Sequence, residues 1–304
     1  MSHWRDISLF VALAVLWGLS FPAITVGLES LPPLLFAAFR YDVGAVVLLA
    51  YTVLRPEDWM PRGRDDIVAV VGGGLFFVAG NGFLFLGQQT VPSSVAAVIQ
   101  ALVPIATALW AVGLLDEHLS LSSVLGVAIG FAGIALVIRP DPGNLLAGNT
   151  LGRLLVVLQV VSVSLGGVLI QRANPDLGRV PMTAWAMLVG AVVLHLGSLG
   201  IGEAQFVSTI GPVALGAIVY LGVFSTAIAF LIYFTILATH GAFETALVTY
   251  LVPIIATLVG VFVLGETLDV LTLFGFSLVA VGFVLLKRRA LRETVNSLSA
   301  TGGL

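Results

Sequence analysis

The chain alternates between long apolar runs and short breaks rich in glycine, proline or charge. Ten runs stand out, at roughly 7–28, 34–54, 66–86, 92–113, 122–138, 151–171, 183–201, 212–236, 243–264 and 268–286. Each approaches the ~20 residues with which a helix crosses a bilayer. The breaks include "ESLPP", "RPEDWMPRGRDD" and "RPDPGNLLAGNT". Inside hydrocarbon every backbone group must be bonded internally, which leaves helices or a closed barrel. A barrel would show alternating strands of about ten residues, and these continuous runs predict helices. The first run follows a short stretch containing Arg5. It is too long for the apolar region of a signal peptide, and "WGLSFPA" is a poor cleavage site, so it reads as a retained span.

The pattern is written twice. "ALVPIATALWAVGLLDEHL" begins at Ala101, and "YLVPIIATLVGVFVLGETL" begins at Tyr250, an offset of 250 − 101 = 149. At that offset Leu102, Val103, Pro104 and Ile105 meet Leu251, Val252, Pro253 and Ile254, and Glu117 meets Glu266. The register continues through Gly126 over Gly275, Gly133 over Gly282 and Arg139 over Arg288. Five spans per copy is an odd number, so the second copy must cross the membrane upside down. The predicted fold is an all-α polytopic membrane protein, with ten transmembrane helices as two inverted five-helix repeats. Inverted repeats place a binding site near the midplane, between two gates related by pseudo-symmetry. A proline inside a span leaves the carbonyl four residues earlier without its donor and bends the helix. Pro104, Pro253 and Pro22 are expected to do this to Gln100, Thr249 and Gly18.

Composition agrees with a lipid-solvated chain. Of 304 residues 59% are hydrophobic and 10% charged, with mean hydropathy +1.12, against about 25% charged in a soluble domain. Absence of cysteine excludes disulfides, thiolate metal sites and cysteine nucleophiles. His3, His118, His195 and His240 show no metal-ligand spacing. No metal, cofactor or nucleic acid is expected, only lipid and a small-molecule substrate. With the N-terminus inside, the inner segments hold Arg5, Arg55, Arg62, Arg64, Arg172, Arg179, Lys287, Arg288, Arg289 and Arg292, against Arg139 and Arg153 outside. Ten cations against two predicts cytoplasmic termini in a plasma-membrane protein.

"LWGLSFPAITVGLE" with "PPLLFAAFR", then "YLVPIIATLVGVFVLGETL" with a glycine-bearing last span, resembles the EamA branch of the drug/metabolite transporter superfamily. The resemblance covers nearly the whole chain. It implies one EamA-like five-helix repeat over 7–138, a linker at 139–150, a second repeat over 151–287 and a cytoplasmic tail at 288–304. It further implies export or exchange of small metabolites, without naming one. The first copy departs from the phrase at Asp116, where the second has Gly265.

Polar residues in the spans mark candidate sites. Spans five and ten are almost purely apolar, and their glycines suit close packing. Gly126-x-x-x-Gly130 serves packing within the chain, with a homodimer contact as its alternative use. Trp17, Asn81, Gln100, Trp110, Gln159, Thr226, Tyr233 and Tyr250 form polar and aromatic stripes at helical spacing. Burying polar groups in lipid is costly unless they face the bundle or water, so these eight are candidate substrate-binding residues. Interhelical hydrogen bonding is the alternative for each of them. Pro104, Pro253, Glu117 and Glu266 are candidate gate residues. Arg40 can bind an anion, pair with an acid or snorkel, and a structural ion pair is the favoured reading. Asp42 and Glu244 are candidate proton relays.

The reading is therefore a secondary transporter of small neutral or weakly charged organic metabolites, working by alternating access. A membrane-embedded enzyme is the rival class, but "DEHL" lacks a second metal ligand and no H-E-x-x-H occurs. No glycine-rich phosphate loop is present, which argues against ATP-driven transport by this chain. A phosphorylated-sugar exchanger would need several cavity cations, and a channel would not need the duplicated, proline-bent spans.

Overall fold

A computed structural model describes residues 3–55, 58–139, 148–204 and 210–288. Apolar helices occupy all ten predicted spans, with ends differing by at most four residues. We number them α1 (His3–Gly18 and Ser20–Leu28), α2 (Pro33–Val53), α3 (Arg64–Gly87), α4 (Ser93–Leu114), α5 (Leu121–Ile138), α6 (Gly148–Ala173), α7 (Arg179–Gly200), α8 (Pro212–His240), α9 (Ala242–Phe262) and α10 (Val270–Leu286). Among the described residues nine helices are long and apolar enough to cross a bilayer, and α10 is a shorter apolar helix. Large apolar side chains such as Leu125, Phe131, Leu258 and Phe274 are exposed on the outside. In water such a surface would be untenable; it suits lipid.

The apolar helices α5 and α10 pack along their whole length, and glycine is the reason. A Cβ on Gly133 would lie 2.6 Å from the carbonyl oxygen of Gly275, and one on Gly282 would lie 2.5 Å from that of Gly126. Ser123 near the start of α5 donates to the carbonyl of Leu286 at the end of α10, 3.1 Å, so the two helices run antiparallel. The offset of 149 maps Gly126 to Gly275 and Gly133 to Gly282. It therefore exchanges the Gly126–Gly282 contact with the Gly275–Gly133 contact. Gly126 and Gly130 are both turned toward the chain's own Gly282 and Ile105.

Four spans are interrupted near the centre of the bundle. α1 breaks at Leu19, just before Pro22. α3 and α8 each contain a wider-wound stretch, Gly73–Val78 and Tyr220–Ile228. Residues 73–78 plus the offset give 222–227, so the irregularity recurs at the same place in both copies. Such π-type turns re-aim side chains and are common at functional sites. In α4 the expected proline kink is a full break. The first segment ends at Gln100, and Pro104 stands second in the next, Val103–Leu114. Leu102 N–H donates to Ile99 and Ile105 N–H to Leu102, three residues back in each case. There proline loses no bond, because the first amides of a helix have no partner anyway. Pro253, by contrast, lies inside the unbroken α9.

Helix ends are satisfied by side chains reaching across connections. Arg153 at the start of α6 donates to the last carbonyls of α5, those of Val137 and Ile138, at 3.0 and 3.1 Å. Asp66 in α3 accepts from Arg62 and Gly63 in its own turn, and from Leu177 between α6 and α7. Arg139 pairs with Asp269 at the start of α10.

Candidate substrate cavity and gate

A cavity of about 210 Å³ lies in the bundle, lined from α1 to α4 on one side and from α6 to α9 on the other. No lining residue comes from α5 or α10. α1 contributes Trp17, Ser20 and Phe21, α2 contributes Arg40 and Tyr41, and α3 contributes Phe77 and Asn81. Gln100 and Ala97 come from α4, Met187 from α7, Phe230 and Tyr233 from α8, and Thr249 and Val252 from α9. The interruptions in α1, α3 and α4 therefore fall beside the cavity.

One wall is aromatic. Trp17 lies 5.5 Å from Tyr233 and 6.1 Å from Phe230 between ring centroids, and Phe77 is 6.0 Å from Phe230. Edge-on and tilted rings at these separations support one another. The wall joins spans one, three and eight, so it spans both copies of the sequence repeat.

Three of the polar side chains that line the cavity are already occupied. Ser20 donates to Trp17 O at 2.6 Å, Asn81 to Phe77 O at 2.8 Å, and Thr249 to Ala246 O at 2.7 Å. Among the described residues the Trp17 indole N–H and the Tyr41 and Tyr233 hydroxyls form no hydrogen bond, and Gln100 and Arg40 also keep hydrogen-bonding capacity. Gln100 Oε1 is buried without a partner among the described residues. Arg40 is 8% exposed, and its Nε donates to Thr226 Oγ1 at 2.9 Å. Its guanidinium carbon stands 5.2 Å from the Tyr41 ring centroid. Among the described residues no carboxylate pairs with it, so the ion pair expected from sequence is not formed.

Of the eight stripe residues, Trp17, Asn81, Gln100 and Tyr233 line the cavity. Thr226 stands one layer behind as the acceptor for Arg40. The other three serve helix contacts. Trp110 Nε1 donates to Val161 O on α6 at 3.2 Å, and Gln159 Nε2 donates to Asn81 Oδ1 at 3.2 Å. The Tyr250 ring sits 4.6 Å from that of Phe283 on α10. Its hydroxyl is buried without a partner among the described residues. Phe77, Phe230, Met187 and Tyr41 were not singled out by sequence, since aromatic and apolar residues in an apolar span carry no contrast.

The gate candidates divide sharply. Glu266, after α9, accepts from Ser93 N at 2.7 Å, Ser94 N at 3.1 Å and Ser94 Oγ at 2.7 Å. Its carboxylate thus caps the N-terminus of α4, where unpaired amides and the helix dipole favour negative charge. Gly260 makes the room, because a Cβ there would press on Glu266 and lie 3.1 Å from Ser93 Oγ. Glu203, after α7, does the same for α2, accepting from Leu34 N at 3.0 Å and Leu35 N at 2.9 Å. Sequence reading missed Glu203, although an acid just past a span end was the available signal. Glu117 is exposed and carries no side-chain hydrogen bond or ion pair among the described residues. The turns that hold Glu117 and Glu266 nevertheless match. Glu117 N–H bonds Ala111 O and Glu266 N–H bonds Gly260 O. The preceding residues, Asp116 and Gly265, both have positive φ, 54° and 68°. Aspartate tolerates that conformation better than most residues with a side chain, which accounts for the departure at Asp116.

Asp42 bonds His195 at 2.8 Å, away from the cavity, and His240 lies 3.7 Å from Asp6. Among the described residues no cluster of three or more metal-binding side chains occurs.

The model of the EamA-like transporter family matches the chain twice, over residues 4–139 and 150–288. The uncharacterized inner membrane transporter YedA of Escherichia coli (strain K12) is 32% identical over 263 residues, 85% of this chain and 82% of that one. An uncharacterized transporter of Archaeoglobus fulgidus is 26% identical over 296 residues, 95% of this chain and all of the other. A solved crystal structure shares the fold with TM-score 0.66 at 22% identity, covering 96% of this chain and 99% of its own. Two family matches and ten apolar helices agree: the chain is a multi-pass membrane transporter that belongs to the EamA-like transporter family.

Proposed function

We propose that the protein is a secondary carrier that exports or exchanges a small organic metabolite by alternating access, with no catalytic step of its own. The observation that carries this reading is the contrast between two repeat-equivalent carboxylates around one shared cavity. Glu266 latches α9 to the start of α4, while Glu117 is exposed without a partner among the described residues. In this reading the structure represents a state closed on the Glu266 face. In the opposite state the Glu266 latch opens, and Glu117 caps the backbone amides of Ala242 and Phe243, at the start of α9. Those positions follow from the offset, 93 + 149 and 94 + 149. The two latches differ in strength, because Ala111 stands where the Glu266 latch has Gly260, and Ser93 and Ser94 have no hydroxyl-bearing equivalents.

The functional units are the halves 7–138 and 151–287, joined by 139–150, with 288–304 as a cytoplasmic tail. Crosswise glycine contacts between α5 and α10 support the inverted relation, and the arginine and lysine distribution supports cytoplasmic termini in the plasma membrane. Because the chain has no cysteine, single introduced cysteines test this directly. Positions in 56–64 and 288–304 label from the cytoplasm, and positions in 141–149 from outside. Labelling of 141–149 and 288–304 from one side would overturn the inverted five-plus-five arrangement. Transport itself is tested in proteoliposomes with and without a pH gradient.

A further inference from the structure

We propose that Arg40 is the anion anchor of the cavity, and that the transported substrate is an organic monoanion whose single carboxylate sits on its guanidinium. The inference rests on the carrier reading above and names the chemical class of its cargo.

The argument starts from an uncompensated charge. A guanidinium stays protonated in proteins, and an isolated charge in a low-dielectric interior is expensive unless it is paired. Arg40 is 8% exposed and lines the cavity, and no acid pairs with it among the described residues. The nearest acid in sequence, Asp42, is engaged with His195. Nε is taken by Thr226 and the flat face lies near Tyr41. Those two contacts fix the plane of the fork. They leave the edge formed by the two terminal nitrogens, neither of which bonds to a described protein group. That edge is the one that receives both oxygens of a carboxylate in parallel.

The rest of the cavity limits the class. Arg40 is the sole cationic side chain among the lining residues, so one negative charge is matched and a phosphate dianion is not. Trp17, Phe230 and Tyr233 form an apolar wall for the substrate body. Gln100, which also lines the cavity, supplies an uncharged amide for one polar group of the substrate. A structural explanation, in which Arg40 merely ties α2 to α8 through Thr226, leaves the terminal nitrogens unexplained.

The test uses the purified full-length protein and three probes with one aromatic body: 3-phenylpropionate, 3-phenylpropylamine and phenyl phosphate. Ligand-induced thermal stabilisation is measured at equal concentrations, and affinity by titration. The expected result is that the carboxylate binds about tenfold or more tightly than the amine and more tightly than the phosphate. Arg40→Gln abolishes the preference, and Arg40→Lys recovers it in part. Thr226→Val, which removes one of the two contacts fixing the fork, weakens carboxylate-induced stabilisation but keeps the preference for the carboxylate over the amine. If Arg40→Gln does not fold, the charge series on the wild-type protein still decides. No stabilisation by the carboxylate, or equal binding of carboxylate and amine, overturns the proposal. Stronger binding of the phosphate reassigns the anchor to phosphorylated cargo and overturns it too. None of these measurements requires transport. Accessibility that alternates between faces can survive loss of the anion preference, so failure here is distinct from failure of the carrier reading.

Discussion

Removing the carboxylate of Glu266 should open the cavity on the face where that residue lies. Three hydrogen bonds end on it, at 2.7, 3.1 and 2.7 Å, two of them from the otherwise unpartnered amides of Ser93 and Ser94. Hydrogen bonds to a charged group contribute about 1.5–3 kcal/mol each when buried. Glu266 is only half-buried, and water can solvate the freed amides once the latch parts, so the discounted loss is about 2–3 kcal/mol in total. That corresponds to a shift of roughly 30- to 150-fold in the equilibrium between closed and open states. A minor open state at about 1% would rise to roughly 20–60% in Glu266→Ala. Glu266→Gln keeps one acceptor but no charge and should fall between. The reporter is a cysteine at Ala97, which lines the cavity one turn inward from Ser93 and Ser94. A membrane-impermeant maleimide applied from the Glu266 face should label it slowly in the parent and much faster in the alanine variant. Labelling from the opposite face should slow. Unchanged labelling from both faces would refute the latch, and a lower melting temperature with unchanged labelling would make Glu266 a helix cap alone.

Three further outcomes separate local roles. Pro104→Ala should leave turnover close to wild type, because Pro104 stands at a helix start where its missing N–H removes no bond. Pro253→Ala restores a donor to Thr249 beside the cavity and should slow turnover; equal effects of the two changes would contradict this assignment. Tyr250→Phe removes a buried hydroxyl without a partner among the described residues, so the melting temperature should hold or rise with substrate affinity unchanged. Weakened affinity would place that hydroxyl in the site. Gly282→Ala puts a methyl 2.5 Å from the Gly126 carbonyl oxygen and 2.8 Å from Gly130 N. It should cost about 1–3 kcal/mol in stability, seen as a lower melting temperature in detergent, while the surviving folded fraction binds substrate normally.

What the sequence determined by itself is what lipid dictates locally. Hydrocarbon thickness sets span length, so the ten helices could be placed to within four residues. The identity of Leu102–Ile105 with Leu251–Ile254, and of Glu117 with Glu266, made the duplication visible because both copies descend to the same spacing. The almost purely apolar character of 122–138 and 268–286 identified the two helices that stay out of the cavity. The tertiary structure alone decided which polar residues face inward. Trp17, Gln100 and Trp110 look alike in sequence, yet Trp110 turns to α6 because α4 breaks between Gln100 and Val103. That break rotates everything after it, so helical periodicity carried across the proline points the wrong way. Gln159 and Asn81 satisfy each other across two spans, a pairing that depends on neighbours distant in the chain. The two gate glutamates occupy equivalent sequence positions, but one is latched and the other exposed. In the carrier reading proposed above, the repeat encodes both latches. A conformation in which the cavity closes on one face engages only one of them.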